Sequence, residues 1–275
     1  DLAYGAALKA IESAKIKKED VDMIILATVT PDYFAQGAAC IVQHKLGLKK
    51  IPCFDLNAAC TGFIYGLEVA YSLVKSGLYK NVLVIGAETL SRIIDMQNRN
   101  TCVLFGDGAA AAIVGQVEEG YGFLGLSIGA EGEDDMILKI PAGGSKKPND
   151  EETIENRENF VIMKGQDVFK FAVSTLPKVT LDALEKAKIE VKDLSWVFPH
   201  QANSRIIEAA AKRMKFPIER FYMNLSRYGN TSSASVGIAL GEAIEKGLVK
   251  KGDNIALTGF GGGLTYGSAI IKWAY

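Results

Sequence analysis

A layered α/β protein built from two duplicated βαβ-type halves is the fold class this sequence predicts, and three stretches of internal similarity predict it. Residues 8–24, LKAIESAKIKKEDVDMI, align without gaps with residues 181–197, LDALEKAKIEVKDLSWV, at an offset of 173. Leu8/Leu181, Ala10/Ala183, Glu12/Glu185, Ala14/Ala187, Lys15/Lys188, Ile16/Ile189 and Asp20/Asp193 are identical pairs. GFIYGLEVAYSLVKSGL (62–78) matches SSASVGIALGEAIEKGL (232–248) at an offset of 170, and NVLVIGAE (81–88) matches NIALTGFG (254–261) at 173. Amphipathic helices resemble one another, so a single match carries little. Three in the same order imply a repeated supersecondary unit.

Each repeated element has its own warrant. The 8–24 and 181–197 segments read as an amphipathic helix, a short charged turn and a buried strand. The 62–78 and 232–248 segments read as helices ending near a glycine. VLVIGA (82–87) and its counterpart are short apolar runs that enter glycine, as strands covered on both faces do. PAGGSKKPNDEETIENREN (141–159) is rich in charge, Gly and Pro without hydrophobic periodicity, and is expected to be a loop between the halves. The division is therefore placed at 1–145 and 146–275. The second half has ENFVIMKG (158–165) ahead of a helix from Gln166, whereas the first opens directly on a helix, as though a strand were missing.

The composition excludes several function classes. Of 275 residues, 48% are hydrophobic and 23% charged, with a formal net charge of −1. Nothing in that balance points to nucleic acid. Apolar stretches such as MIILATV (23–29) are too short to cross a bilayer, and no signal-peptide pattern opens the chain. The four cysteines, Cys40, Cys53, Cys60 and Cys102, have neither framework nor CxxC spacing, which argues against a disulfide scaffold or zinc site. A reducing cytoplasm is the simplest expectation.

Three residues stand out as chemistry. Cys60, in DLNAACTGFIYGL (55–67), opens a helix whose apolar face is Phe63, Ile64, Leu67, Ala70, Tyr71 and Val74. A thiol there meets backbone N–H groups and the helix dipole, which favour the thiolate. Cys40, Cys53 and Cys102 lie in apolar or strand-like contexts and read as structural. Of two histidines, His44 belongs to an exposed helix face, whereas His200 follows the buried strand SWVFP (195–199). Asn230, in RYGNTSSAS (227–235), reads equally as a turn or capping residue and as an amide donor. At the 170 offset it falls opposite Cys60, so both would open equivalent helices, where layered α/β folds collect their ligands. The glycines of GFGGGLTYGSA (259–269) match no phosphate loop; they allow close backbone approach, with N–H donors available. In 202–216, Ile206, Ile207, Ala210 and Met214 share one helix side, leaving Arg205, Lys212 and Arg213 for solvent or an anionic partner.

Taken together, the Cys60 segment, SRIIDMQNRNTCVLFGDGAAA (91–111), PHQANSRI (199–206), GNTSSAS (229–235) and GFGGGLTYGSA resemble the β-ketoacyl-acyl-carrier-protein synthase III family over essentially the whole chain. The resemblance implies a thiolase-like fold and an initiating condensation in fatty-acid synthesis. It implies that Cys60 takes the acyl group of an acyl-CoA, that the N–H groups of Cys60 and Gly262 form an oxyanion hole, and that His200 and Asn230 stabilise an enolate. Gly165, Phe169 and Asn203 match substrate-lining positions. Lys170, Arg205, Lys212 and Arg213 match a basic face for the acyl carrier protein. No cofactor, metal, nucleic acid or membrane is implied; the family is usually homodimeric. His200 paired with Asn230 separates this group from elongating synthases, which use two histidines, and from thiolases, which bring a second cysteine. The alternatives are a Cys-His-Asn condensing enzyme of secondary metabolism, a cysteine-dependent thioester hydrolase and a non-catalytic carrier-binding paralogue.

Two departures from the family are visible. Its N-terminal strand and CoA-adenine clamp have no counterpart in this sequence, and Ala35 stands where the family usually places a Phe that reaches into the partner subunit's acyl pocket. The smaller side chain predicts a wider primer range. Butyryl- and isobutyryl-CoA should rival acetyl-CoA in a primer-competition assay; strong preference for acetyl-CoA would contradict this.

Overall fold

The structure, a computed structural model, describes residues 1–132 and 137–275. Its first half runs α1 (Leu2–Ser13), β1 (Met23–Ala27), α2 (Ala38–Leu46), β2 (Cys53–Leu56), α3 (Gly62–Lys75), β3 (Asn81–Glu88) and β4 (Gly108–Gly115). Then follow β5 (Gly122–Ala130), β6 (Leu138–Lys139), α4 (Glu151–Glu155), β7 (Ile162–Met163) and α5 (Gly165–Ala187). The chain ends with β8 (Trp196–Pro199), α6 (Ser204–Met214), α7 (Leu225–Tyr228), α8 (Ser235–Glu245), β9 (Asn254–Gly261) and β10 (Thr265–Lys272).

Two four-stranded sheets, ordered β2-β1-β3-β4 and β5-β10-β9-β8, carry these elements. β1 is parallel to β2 and β3, β4 is antiparallel to β3, and β8–β9–β10 repeats the pattern of β1–β3–β4. β1 is buried at every position and β3 at all but its first, because both faces of the sheet are covered. Successive residues face opposite layers. Ile25 and Val84 meet α3 and α8, whereas Ile24, Leu26, Leu83 and Ile85 meet α1 and α2. From the second sheet, Leu257 and Ile271 face the same central helices, and Val197, Ala256 and Ile270 face α5 and α6. The result is five layers, α-β-α-β-α, with α3 and α8 in the middle.

The duplication is present in the backbone. Lys15 (φ 54°) and Lys188 (φ 57°) end the equivalent helices in the same left-handed turn, as do Ala59 (φ 46°) and Ser232 (φ 47°) ahead of α3 and α8. These pairs fix one register error in the sequence alignment. α3 has 14 residues and α8 has 11, so their starts correspond at an offset of 173 and their ends at 170. Ser233, not Asn230, therefore occupies the place of Cys60; Asn230 lies three residues earlier. The sequence match was registered on the helix ends, where Gly77 and Gly247 coincide, and a shortening by one turn escaped it.

Two other expectations change. β5 pairs antiparallel with β10 and so belongs to the second sheet, placing the structural division after β4 rather than at 145/146. The segment 141–159 is not all loop. Asp150 accepts from Thr153 N at 2.8 Å while Thr153 Oγ1 accepts from Asp150 N at 2.8 Å, a reciprocal cap that nucleates α4 despite weak hydrophobic patterning.

Close approach between layers depends on glycine. A Cβ on Gly86 would stand 2.7 Å from the Ser233 carbonyl oxygen, and one on Gly62 would stand 2.8 Å from Ala27 Cβ. Gly86→Ala should therefore destabilise the protein by about 1–3 kcal/mol, the usual cost of overpacking, read as a lowered urea midpoint at unchanged m.

Candidate active site

Cys60 lies in a 3₁₀ turn, residues 59–61, that leads straight into α3. Ala59 takes a left-handed conformation uncommon for a residue with a Cβ. The turn is held by Asn57 Oδ1, which accepts from Ala59 N at 3.2 Å, and by Thr61 Oγ1, which donates to Ala58 O at 2.7 Å. The Thr265 hydroxyl, 2.8 Å from that of Thr61, ties the turn to β10. Gly261 closes β9 against it; a Cβ there would sit 2.7 Å from Cys60 N.

His200 leaves the end of β8, its N–H donating to Thr258 O at 2.8 Å. Its Nδ1 lies 2.6 Å from Ser235 Oγ. Ser235 Oγ also accepts a long contact from Gln201 N at 3.5 Å; when its hydroxyl donates to Nδ1, the imidazole N–H falls on Nε2. Gln201 is a clamp: Nε2 donates to Pro199 O and Tyr222 O, and Oε1 accepts from Asn224 N and Leu225 N. It fixes the His200 turn against the segment that leads to Asn230.

Asn230 bridges to Phe105, its N–H donating to Leu104 O at 2.8 Å and its carbonyl accepting from Gly106 N at 2.9 Å. Its Oδ1 accepts from Ser232 N at 2.8 Å. The turn reading and the donor reading are thus compatible. The Asx turn occupies the amide oxygen and leaves the NH₂ to donate elsewhere.

One cavity of about 160 Å³ is lined by Cys60, His200 and Asn230 together, and by Gly165, Phe169, Asn203 and Gly262. Its walls include the N-terminal two turns of α5 and the first turn of α6, where Lys170 and Arg205 are exposed. Lys212 and Arg213 are exposed at the other end of α6, and Arg213 donates to Val173 O at 2.6 Å across to α5. His44 is exposed and remote. Ala35 and Phe34 lie on an exposed loop, Phe34 at 95%.

A second cavity, about 440 Å³, begins on another side of Cys60 and is lined by Val29, Leu90, Ile93, Phe105, Leu138 and Val161 among others. These residues come from five separated segments of the chain, and no motif announces them. Glu88 was also missed, although a carboxylate closing an otherwise apolar strand was a usable signal. It is 1% exposed and accepts from Ser233 Oγ (2.8 Å), Thr30 Oγ1 (2.8 Å), Val29 N (3.0 Å) and Thr28 Oγ1 (3.2 Å). Ser233 belongs to the other half, so Glu88 joins the halves close to Cys60.

Burial dominates the electrostatics. Cys60 is 6% exposed, and desolvation, with the nearby Glu88 charge adding to it, pushes its thiol up to about 12. This reverses the expectation of a thiolate: in the resting site, burial outweighs the helix terminus. Desolvation likewise brings His200, 2% exposed, down to about 3, so the ring is neutral. Burial raises Glu88, against which its hydroxyl and N–H donors act. Among the described residues no group of three or more His, Cys, Asp or Glu is placed to hold a metal ion, and no helix is long and apolar enough to cross a membrane.

A buried thiol, a neutral imidazole and an oriented amide in a five-layer α/β fold define a cysteine-centred condensing enzyme of the thiolase-like class. Residues 54–132 match the family described as 3-oxoacyl-[acyl-carrier-protein (ACP)] synthase III, and residues 184–273 match its C-terminal part. The chain belongs to this family. It is 89% identical to β-ketoacyl-[acyl-carrier-protein] synthase III of Fusobacterium nucleatum over the whole of this chain and 84% of that one. The crystal structure of the β-ketoacyl-[acyl carrier protein] synthase III of Thermus thermophilus is 43% identical, with a TM-score of 0.91, covering 99% of this chain and 84% of that one. A priming β-ketosynthase from a polyketide biosynthetic pathway is 32% identical, with a TM-score of 0.87, covering 98% and 80%.

The resting protonation states predict two pH responses. Alkylation of Cys60 by iodoacetamide should rise about tenfold per pH unit from pH 7 to 9, as for a thiol titrating near 12, with no plateau. Glu88→Gln removes the nearby negative charge and should speed alkylation at any fixed pH. His200 refuses a proton that the unfolded chain accepts below its ordinary 6.5, so its contribution should lower stability as pH falls from 6.5 towards 3. Urea melts of wild type and His200→Gln across that window measure the difference.

Proposed function

We propose that this protein carries out the initiating condensation of fatty-acid synthesis, joining an acyl-CoA primer to malonyl-acyl-carrier protein through an acyl-Cys60 thioester. The observation that carries the reading is the single cavity shared by Cys60, His200 and Asn230. Cys60 Sγ attacks the acyl-CoA carbonyl, the tetrahedral oxyanion accepts from the N–H groups of Cys60 and Gly262, and CoA leaves as its thiol. Malonyl-carrier protein then loses CO₂. The enolate oxygen accepts from His200 Nε2–H and Asn230 Nδ2–H; its carbon attacks the acyl-Cys60 carbonyl, the C–S bond breaks, and Cys60 leaves as the 3-ketoacyl product forms. A neutral imidazole suits this role because it keeps a donor without placing a second buried charge.

The cavity between the first turns of α5 and α6 receives the pantetheine arm past Gly165, Phe169 and Asn203. The exposed cations Lys170, Arg205, Lys212 and Arg213 then face the acidic carrier protein. The apolar second cavity receives the primer chain. The enzyme needs no cofactor, works in the cytoplasm and forms a homodimer, with the exposed Tyr33–Phe34 loop meeting the second copy.

Similarity to a polyketide-priming ketosynthase keeps a secondary-metabolic acceptor as the second reading. Labelled acetyl-CoA followed by peptide mapping should mark Cys60; an unlabelled Cys60 would overturn the mechanism. Asn230→Ala should retain that label yet lose roughly 10²–10³-fold in condensation, the cost of one preorganised donor at ~2.7–4 kcal/mol. Net CoA release without malonyl acceptor would instead indicate hydrolysis.

A further inference from the structure

Cys40 and Cys53 lie outside the active site, and their sequence contexts suggested isolated structural thiols. In the fold both are half-buried, and their sulfurs are 3.4 Å apart. Cys40 sits in the first turn of α2, and Cys53 opens β2. Their approach is held on both sides. Asp55, on the same face of β2, accepts from Ala38 N and Ala39 N at 2.7 Å each, and Gln43 Nε2 donates to Ile51 O at 2.8 Å. A disulfide requires the sulfurs to close by about 1.4 Å, to ~2.05 Å. Among the described residues β2 lies at the edge of its sheet, beside β1.

We propose that Cys40 and Cys53 form a reversible oxidation site, converted by a peroxide-class oxidant into a disulfide that staples α2 to β2. Burial, then the hydrogen bond and charge of Cys40, raise Cys53 to about 11. Cys40 sulfur, in the first turn of α2, attacks first. Its S–O bond forms as the peroxide O–O bond breaks, and one water leaves. Cys53 then loses its proton and attacks the Cys40 sulfenic acid; the S–S bond forms, the S–O bond breaks and a second water leaves. Two thiols lose two electrons and hydrogen peroxide gains them. The staple acts on the element that follows the 28–37 loop, whose Val29 lines the second cavity and donates to Glu88.

The test is hydrogen peroxide treatment of the folded chain, a free-thiol titration, and non-reducing peptide mapping. The titre should fall from four to two and return to four with dithiothreitol. Trypsin leaves Cys53 and Cys60 on one peptide, so variants assign the bond: Cys60→Ala should keep the cross-link to the Cys40 peptide, and Cys53→Ser should lose it. A titre that stays at four, a fall without a cross-link, or a cross-link that survives Cys53→Ser would each overturn the proposal.

Discussion

Packing α3 and α8 against each other between two sheets is the constraint on which the rest of this structure depends. Two helices share one apolar layer with side chains from both sheets, so the backbones that enter that layer have little space. Gly62, Gly86 and Gly237 mark where a methyl group would collide with a neighbouring strand, turn or ring. The same crowding sets the chemistry. The turns ahead of the two helices meet at the centre of the molecule, where water is scarce and every polar atom must be partnered internally. Thr61, Thr265, Gln201, Ser235 and Glu88 provide that satisfaction, and in doing so they hold the donors of the site in place before substrate arrives.

The two halves have diverged at equivalent positions in complementary ways. β3 ends in Glu88 and β9 ends in Gly261, at the same step of the repeat. Glu88 reaches across to bind Ser233, the counterpart of Cys60, whereas Gly261 leaves room for the backbone of Cys60 itself. One half thereby carries Cys60 and the other carries His200 and Asn230. The anchoring carboxylate has a chemical consequence, since its charge adds to burial in keeping the resting thiol protonated. In the proposed reaction the thiol stays guarded until a thioester enters, and the oxyanion donors rather than a preformed thiolate carry the barrier reduction.

Much of the site was legible because the residues that carry it sit in short, self-contained turns. Cys60 and Asn230 lie in the turns ahead of α3 and α8 and His200 lies just past β8, placements that local patterning exposes. The alignment of Cys60 with Asn230 failed for an equally local reason: repeated glycines at the helix ends outweighed the helix starts. The second cavity was illegible, since Val29, Leu90, Phe105, Leu138 and Val161 are ordinary apolar residues that become a wall only after distant segments fold together. The Cys40–Cys53 contact was hidden similarly, because helix-to-strand packing brings its two sulfurs face to face.

By itself the sequence determined the repeat, the layer type and the chemical identity of the three central residues, because hydrophobic periodicity and turn composition are local properties. It also carried the motifs that place the chain in its family. Tertiary structure alone decided the protonation of Cys60 and His200, since desolvation depends on everything packed around a group rather than on its neighbours in the chain. It decided that Ser233 and not Asn230 is the partner of Cys60 in the repeat, and that β5 crosses to the second sheet. Sheet pairing and close helix approach are long-range choices, settled by which surfaces fit once all five layers are present.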